Sequence, residues 1–467
     1  MTIKFNQASF RDPDGSVFSD GEDIYRLINR SYHKNFNQLM KSGLYKELTE
    51  NNLLVKHKKV NANKFKAKNF SGDDQIIIQP DKIHFITYPY EWSFSQLKQA
   101  ALLTLKIQKI ALKYNMTLKD ASSYNIQFIN NKPIFIDTLS FTEYAVGDIW
   151  IPYAQFCKHF VAPLALVSKK NHRLINLLKS NIDGIPLDLA CQILPYTAFF
   201  NLNLLIHLKI HSISQKSNES FEKTKNVKTS YLSSKKLNLL IEGLVACIES
   251  INLQDQKTQW DQYYSFTNYE TKIFNLKKKL VDELISKIKP KVIIDLGGND
   301  GTFTKIAARY ANYAYLIDSD FMAIERSYTE ILKENKSITS AIIDLNNPSP
   351  NLGFNSNERD SFISRVSELN CDCIISLALM HHICISNNVP FIKLADFYKN
   401  LNSKYLLIEY VGPEDSQVQK LLSNRENIFL GYNIENFVDA FKKDFTIIDK
   451  RKIGDMDRVL FLMKRKK

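Results

Sequence analysis

The sequence predicts an α/β protein, with a doubly wound seven-stranded sheet after residue 290 and an α+β domain before it. After Pro290, short apolar runs alternate with helical stretches, which is typical of a parallel sheet. The last two runs leave no room for a helix between them, so they predict an antiparallel hairpin at one edge. In the N-terminal half, Ser93 and Gln96 form a capping box that predicts a helix to about Tyr114. The seven predicted strands are 292–296, 313–318, 340–344, 371–376, 405–409, 445–448 and 459–463.

Composition argues against several classes of protein. The chain has no run of about 18 apolar residues and its start lacks the apolar core of a signal peptide, so we expect a cytoplasmic protein without a membrane span. Its six cysteines are expected in the core, and its net charge of +13 is too dispersed to indicate nucleic-acid binding. His207 and His211 have the spacing of helical metal ligands but no third partner, so no metal site is predicted.

An apolar run at 292–296 leads into a glycine-rich turn and then a predicted helix. Only Asp295 interrupts the apolar residues, as expected for a strand buried on both faces. Gly297, Gly298 and Gly301 permit positive φ angles and close approach of a ligand, and the first amides of the helix are free to bind it. The turn therefore predicts a cofactor site, with an ordinary strand-turn-helix joint as the alternative.

The spacing of this turn resembles the D-x-G-x-x-x-G motif of class I methyltransferases, which use S-adenosylmethionine. The resemblance implies a Rossmann-like domain whose loop surrounds the methionine part of the cofactor. It also implies that Asp318, at the end of the second predicted strand, binds the ribose hydroxyls, because a carboxylate can accept two hydrogen bonds at once. The loop residues expected to hold the cofactor are Asp295, Gly297, Gly298, Asn299 and Gly301.

Two further turns follow the third and fourth predicted strands, at the edge where ligands bind in such sheets. The methyltransferase resemblance places Asp344 or Leu345 against the adenine, with a plain Asn- and Pro-rich turn as the alternative. His381 and His382 follow the fourth strand, where this fold presents substrate-facing residues, and either can remove a proton from an acceptor. Because adjacent side chains face different directions, we expect one of them to be structural, and packing or capping by both is the alternative. Glu409 is a further candidate for the pocket.

A segment of the N-terminal half resembles the catalytic segment of protein-kinase-like phosphotransferases. Asp120 precedes Asn125 by five residues, and Asp137 ends the next predicted strand. The resemblance implies that Asp120 orients an acceptor hydroxyl and that Asn125 and Asp137 hold magnesium. However, Leu118 stands where His is usual, Thr-Leu replaces Phe-Gly after Asp137, and no glycine-rich phosphate loop lies upstream. We therefore expect a degenerate kinase-like fold without kinase activity, with a substrate-binding α+β domain as the alternative.

These features divide the chain into four predicted segments. They are an N-terminal α+β domain at 1–214, a basic linker or mobile loop at 215–236, a helical bridging or lid segment at 237–289 and an S-adenosylmethionine-binding domain at 290–467. The linker is inferred from its Ser-, Lys- and Asn-rich composition. Aromatic residues at 260–264 and 268–270 suit a lid that excludes water from the cofactor, and packing between domains is the alternative.

Taken whole, the chain resembles a bacterial group of two-part methyltransferase-like proteins, some of which are labelled nodulation proteins. The segments that carry this resemblance are 88–92, 118–122, 136–141, 183–187, 347–350 and 381–382. It implies methyl transfer to an unidentified acceptor, which is a glycan, glycolipid, small molecule or protein bound with the help of the N-terminal domain. A non-catalytic binding or regulatory protein that retains both folds, and a bifunctional kinase and methyltransferase, are the alternatives. The sequence does not indicate the oligomeric state.

Overall fold

The computed structural model describes residues 3–61, 65, 75–212, 233–253, 271–334, 337–423 and 431–466. The predicted linker lies outside the described residues except at its end, where Ser233 caps a helix, and both predicted lid segments lie outside them. In the described part of the chain, no helix is long and apolar enough to cross a membrane.

Two compact units make up the chain, and each contains non-contiguous segments. Unit 1 comprises Met1–Phe128, Lys132–Asp255 and Asn351–Arg359, and unit 2 comprises Ile129–Asn131, Gln256–Pro350 and Asp360–Lys467. The segment predicted as a bridge at 237–289 is thus shared between the two units. Its boundaries, like those of the other three predicted segments, stay predictions.

Unit 1 begins with an antiparallel sheet of five strands. They are β1 (Ile3–Phe5), β2 (Gly15–Asp20), β3 (Asp23–Ile28), β4 (His57–Val60) and β5 (Ile76–Pro80), in the order β1-β2-β3-β5-β4. A turn at Gly21, with φ +65°, joins β2 to β3. Two helices, His33–Lys41 and Leu44–Glu50, lie between β3 and β4 in sequence. The predicted α+β character of the N-terminal half is confirmed.

The rest of unit 1 is mainly helical. The predicted capping-box helix is confirmed as Phe94–Lys113, with Ser93 as its N-cap and Gln96 completing the box. It precedes four short strands, β6 (Met116–Leu118), β7 (Ile126–Ile129), β8 (Lys132–Phe135) and β9 (Phe141–Glu143), in which β6 pairs with β9 and β7 with β8. The later α-helices are Tyr153–Phe156, Ala162–Lys169, Leu177–Ser180, Leu187–Ile193, Leu202–Leu204 and Ser234–Ser250.

Unit 2 contains the predicted seven-stranded sheet. Its strands are β10 (Val292–Leu296), β11 (Tyr313–Asp318), β12 (Ile338–Ile342), β13 (Cys373–Ser376), β14 (Tyr405–Val411), β15 (Phe445–Lys452) and β16 (Arg458–Arg465). They lie in the order β12-β11-β10-β13-β14-β16-β15. Strands β10 to β14 are parallel, and β16 is antiparallel to both β14 and β15. The doubly wound sheet and its terminal antiparallel hairpin are therefore confirmed.

Several strand boundaries differ from those predicted. The third strand ends at Ile342 instead of Asp344, because its register follows β11, in which Asp318 is the last residue and pairs with Ile342. The fourth strand starts two residues later than predicted, at Cys373. The last three strands are longer, since the antiparallel pairing of β16 with its two neighbours continues past the apolar runs.

Helices cover the sheet of unit 2. They are Thr271–Ile288, Thr302–Ala307, Phe321–Glu334, Phe362–Glu368, Phe391–Asn400, Ser416–Leu422 and Ile434–Lys442. The first of them packs Val281 and Leu284 into a core with Ile293 of β10 and Ile375 of β13. Burial of such apolar side chains, each worth about 1.5–3 kcal/mol, is the main force that holds this helix on the sheet.

A fully buried ionic network ties this first helix to the strands. Lys277 Nζ lies 2.6 Å from Glu409 Oε2, and Arg458 Nη1 lies 3.3 Å from Glu409 Oε1. Arg458 also binds Asp415 through two hydrogen bonds of 2.7 and 3.0 Å. Burial by itself would raise the pKa of Glu409, but Lys277 and Arg458 outweigh it and hold that pKa below its usual value. Glu409 is therefore ionised and paired inside the fold.

Replacing Lys277 with Met is expected to lower the free energy of unfolding by about 3–5 kcal/mol, because it leaves the Glu409 carboxylate buried without its closest cation. Urea titration would measure the change. The control is Lys279→Met, two residues away on the exposed side of the same helix, which should unfold like the original protein. Equal stability of the two variants would contradict a structural role for the Lys277 pair.

Candidate functional site

A cavity of about 230 Å³ opens in unit 2 at the carboxyl ends of the parallel strands. Four turns form its walls, each following one of the strands β10 to β13. The side chains and backbone that line it include Gly297, Asn299, Asp318, Asp344, Leu345, Leu379 and His382. The structure thus brings together residues that the sequence analysis assigned to the methionine, ribose, adenine and acceptor portions of one site.

The glycine-rich turn after β10 is fixed by its backbone. Gly297 has φ +73°, and its amide donates to the carbonyl of Ile317 in β11 at 2.8 Å. A Cβ atom at Gly297 would lie 3.1 Å from the side chain of Leu379, on the opposite wall. Glycine therefore serves two purposes here, since it permits the positive φ and keeps the cavity open.

Asp318 ends β11 with its carboxylate at the cavity wall. Its Oδ2 accepts the amide of Asn299 at 2.8 Å, and its Oδ1 accepts the amide of Asp320 at the same distance. Burial raises the pKa of Asp318 to about 6, although these two amide donors act in the opposite direction. Each oxygen retains acceptor capacity, so the carboxylate is oriented by the backbone and can still accept hydrogen bonds from a ligand diol.

Three of the predicted cofactor residues lie behind the turn and not on the cavity wall. Asp295 is buried and accepts a hydrogen bond of 2.6 Å from the hydroxyl of Thr304. Burial raises the pKa of Asp295 to about 7. A Cβ atom at Gly298 would approach Asp295 Oδ2 to 2.9 Å, and Gly301, with φ +75°, is the N-cap of the following helix. These residues shape the turn from within the fold.

The turn after β12 supplies the opposite edge of the cavity. Asp344 is exposed, and its Oδ1 accepts the amide of Asn346 at 2.9 Å. Leu345 is half-buried and gives this edge an apolar surface. A flat apolar group in the cavity beside this turn would therefore contact Leu345 and lie next to the carboxylate of Asp344.

The two histidines after β13 have different surroundings. His382 lines the cavity, whereas His381 is fully buried, and their ring centroids are 4.0 Å apart. Burial, with a smaller effect of Arg458, lowers the pKa of His382 to about 4, and burial lowers the pKa of His381 well below its usual value. Both rings are thus neutral at physiological pH, and His382 is the one that can meet a ligand.

Glu409 acts on this wall without contacting the cavity. Its Oε2, which is paired with Lys277, also accepts the amide of Ala378 at 2.8 Å. Ala378 lines the cavity and has φ +50°, a left-handed conformation that costs a residue other than glycine about 1 kcal/mol. The buried carboxylate therefore holds the turn after β13 in a strained conformation.

The kinase-like residues lie elsewhere, in unit 1. Asp120, Asn125 and Asp137 all line a second cavity there. Asp137 is ion-paired with Arg26, and Asn125 donates a hydrogen bond of 3.2 Å to the hydroxyl of Ser140. The resemblance to kinases stays a prediction. His207, one of the two histidines considered above for metal binding, forms a hydrogen bond of 2.8 Å with the hydroxyl of Tyr153 through its Nδ1.

Sequence reasoning missed the ionic partners Lys277, Arg458 and Asp415. The sequence did contain two indications of this network. Glu409 interrupts one apolar strand and Arg458 begins another, and a buried charge is costly unless it is paired. Glu409 was expected in the pocket, and the structure instead places it beneath the pocket wall. The cavity of unit 1 also contains Arg26 and Glu358, which no motif indicated.

The chain is similar over nearly its whole length to one curated protein. The nodulation protein NoeA of Rhizobium meliloti (strain 1021) is 30% identical over 461 residues, which cover 98% of this chain and 95% of that protein. No family model matches the chain.

Two similar solved structures are methyltransferases, and each covers less than half of the chain. The N-methyltransferase NodS of Bradyrhizobium japonicum WM9, in complex with S-adenosyl-L-homocysteine, is 13% identical, covers 46% of this chain and 100% of its own, and has a TM-score of 0.33. The magnesium protoporphyrin IX methyltransferase ChlM of Synechocystis PCC 6803, with bound S-adenosylhomocysteine, is 14% identical over 44% of this chain and 93% of its own, with a TM-score of 0.31.

Replacing Gly298 with Ala is expected to destabilise unit 2 by about 1–3 kcal/mol, the usual range for overpacking. The new methyl group would lie 2.4 Å from Leu316 Cδ1 and 2.9 Å from Asp295 Oδ2, so the turn must shift. Urea unfolding would measure the loss. Gly431→Ala is the matched control, because its Cβ would only reach ordinary contact with Asn436. A Gly298→Ala variant as stable as this control would show that the turn is not tightly packed.

Proposed function

Given that the chain belongs to the family of the nodulation protein NoeA and has the sheet order expected of a class I methyltransferase, we propose that unit 2 transfers a methyl group from S-adenosylmethionine to an acceptor. The observation that carries the proposal is the convergence of Gly297, Asp318 and His382 on one cavity at the carboxyl ends of the strands. Ligands of open α/β sheets bind at this edge, next to the point where the strand order reverses.

The charge of the cavity suits this cofactor. Among the described residues that line it, Asp318 and Asp344 are acidic and none is Lys or Arg. When bound, the cofactor supplies an electrophilic methyl carbon on a positively charged sulfonium, which an acidic lining attracts. The cavity volume of about 230 Å³ is below the roughly 300–1,000 Å³ of small-molecule sites, so the described walls enclose only part of the space that the cofactor needs.

We assign the contacts to residues as follows. Asp318 accepts hydrogen bonds from the ribose hydroxyls, and the turn from Gly297 to Asn299 surrounds the methionine part. Leu345 and Asp344 contact the base. The backbone hydrogen bonds that orient Asp318 support the first role. The second is supported by Gly297, which has no side chain and so leaves space between the turn and Leu379.

His382 is proposed to orient the acceptor. With a pKa lowered to about 4, its ring is a weak base that stays neutral and can accept a hydrogen bond from an acceptor hydroxyl or amine. Such a contact aligns the nucleophile for in-line displacement, and positioning of this kind supplies much of the rate of methyl transfer. The His382 ring does not determine whether the acceptor is a glycan, glycolipid, small molecule or protein. Other residues around the acceptor determine this.

Asp318→Ala is expected to weaken S-adenosylmethionine binding at least about tenfold, because hydrogen bonds to a charged group are worth about 1.5–3 kcal/mol. Titration calorimetry would measure the dissociation constant. In the original protein the affinity should fall about tenfold from pH 7 to pH 5, since protonation of a carboxyl with a pKa of about 6 removes its negative charge.

Two controls separate this effect from damage to the turn. Asp300→Ala changes an exposed carboxylate in the same turn and should bind like the original protein. Asp318→Asn should bind weakly and lose most of this dependence on pH, and any dependence that remains belongs to Asp295, whose pKa is about 7. If Asp318→Ala bound the cofactor as tightly as the Asp300 variant, the ribose assignment would be wrong.

Methyl transfer itself can be tested with cofactor labelled in the methyl carbon. A bacterial extract separated into glycan, lipid, small-molecule and protein fractions should yield a labelled product in one fraction. His382→Ala should reduce this labelling at least about tenfold while cofactor affinity changes less than about twofold, because the ring contacts the acceptor. No labelling in any fraction, together with tight cofactor binding, would favour a non-catalytic binding protein.

A further inference from the structure

Unit 1 contains a cavity of about 710 Å³ that shares no lining residue with the cavity of unit 2. Its volume lies in the roughly 300–1,000 Å³ range of small-molecule sites. Asp120 and Asp137 line it, together with Glu358 and Arg359 of the segment Asn351–Arg359, which belongs to unit 1. The cavity thus combines residues from distant parts of the sequence.

Five of the eleven charged side chains that line this cavity form ion pairs with one another. Arg26 Nη2 lies 2.7 Å from Asp12 Oδ2, and Arg26 also pairs with Asp137. Arg11 binds Glu358 through two hydrogen bonds of 2.7 Å each. These pairs are partly exposed and add little net stability, but they hold donors and acceptors in place along the cavity wall.

The lining has almost no net charge. Its cationic residues are Arg11, Arg26, Lys82, Lys119 and Arg359, and its acidic residues are Asp12, Asp81, Asp120, Asp137, Asp183 and Glu358. Five positive and six negative groups provide no strong field for either a polyanion or a polycation. The wall instead offers many hydrogen-bond donors and acceptors side by side, which favours a neutral ligand that has both.

The carboxylate that the kinase resemblance would assign to magnesium is already engaged. Asp137 accepts the amide of Leu139 at 3.0 Å, the guanidinium of Arg26 and the hydroxyl of Ser140. A metal ion would have to displace the Arg26 cation from this carboxylate. A ligand that needs no metal ion therefore fits the site as it stands.

The cavity also has an apolar side. Val17, Ile24 and Ile78, from three neighbouring strands of the sheet, line it. The guanidinium of Arg359 lies 4.0 Å from the ring centroid of Tyr124, which gives the wall a flat stacked surface. A ligand with a hydroxyl-rich edge and an apolar face would contact both sides.

Several polar groups retain the capacity to bind a ligand. Asp120 Oδ1 accepts the amide of Ser122 at 2.8 Å, and a carboxylate has about four acceptor positions in all. Among the described residues, the Nε atoms of Arg26 and Arg359 are buried and have no hydrogen-bond partner. Buried donors without partners are uncommon in folded proteins and are found at functional sites.

We propose that this cavity binds a neutral saccharide without a metal ion, with Asp120 accepting hydrogen bonds from the sugar hydroxyls. Paired charges suit hydroxyl groups, which donate to carboxylates and accept from guanidinium groups at the same time. The apolar strand residues and the stacked Arg359 and Tyr124 contact the C–H face of the sugar ring. Magnesium ATP, which carries net negative charge, would face Asp120 and the engaged Asp137.

The test measures binding of neutral sugars, cellobiose and maltotriose, to the full chain by calorimetry and by thermal shift, with magnesium ATP as the competing ligand. At least one sugar should bind saturably and raise the unfolding temperature. Asp120→Ala should weaken that binding at least tenfold, and Asp120→Asn is the conservative variant if the first does not fold. Asp148→Ala, an exposed aspartate of unit 1, is the matched control and should bind normally.

Three results would overturn the proposal: no sugar binding, sugar binding that is equal in the two Asp120 variants and the control, or binding of magnesium ATP in place of sugars. S-adenosylmethionine affinity, measured on the same samples, should be unchanged by either Asp120 variant. Loss of sugar binding with normal cofactor binding therefore tests this cavity alone, and failure of cofactor binding would count only against the function proposed for unit 2.

Discussion

The fold of unit 2 depends on a single buried carboxylate. Glu409 lies on β14, pairs with Lys277 of the covering helix and with Arg458 of the neighbouring antiparallel strand β16, and accepts the amide of Ala378. Placing these charges away from water costs several kcal/mol per ion, and their mutual attraction offsets this cost only when every partner is present. The same group therefore fixes the helix, the antiparallel edge and the strained turn at the cavity wall, so the sheet and the site cannot be altered independently.

Two of the turns that form the cavity wall are held by hydrogen bonds from the sheet. The turn after β13 is held by Glu409, and the turn after β10 is held by the carbonyl of Ile317 and by the carboxylate of Asp318. Both are fixed by groups that belong to the sheet. A ligand in contact with Asp318 and Ala378 meets positions that are set before it arrives, and such preorganisation reduces the entropy lost on binding.

The sheet was predictable because each of its strands is an apolar run bounded by turn residues. The terminal hairpin follows from the spacing of those runs, whereas the strand order is seen only in the structure. The ends of strands such as β12 depend on the register with a neighbour and were missed by two residues. Asp318 and His382 are candidates because the first ends a predicted strand and the second lies in the segment after one, and the structure places both on the cavity wall. The role of Glu409 was misjudged because its partner Lys277 is more than 130 positions away, and no local pattern indicates such a pair.

The two cavities differ in the charge of the side chains that line them. In unit 2, Asp318 and Asp344 line the cavity without a lysine or arginine among the described lining residues, so the site favours a positively charged ligand. In unit 1, Arg26 and Arg11 neutralise the acidic groups beside them, and a charged ligand would have to break those pairs. Because attraction between charges is strongest where water is excluded, the first arrangement suits the sulfonium that we propose for unit 2, and the second suits the neutral saccharide that we propose for unit 1. The two proposed ligands differ in charge, so neither is expected to compete for the site of the other.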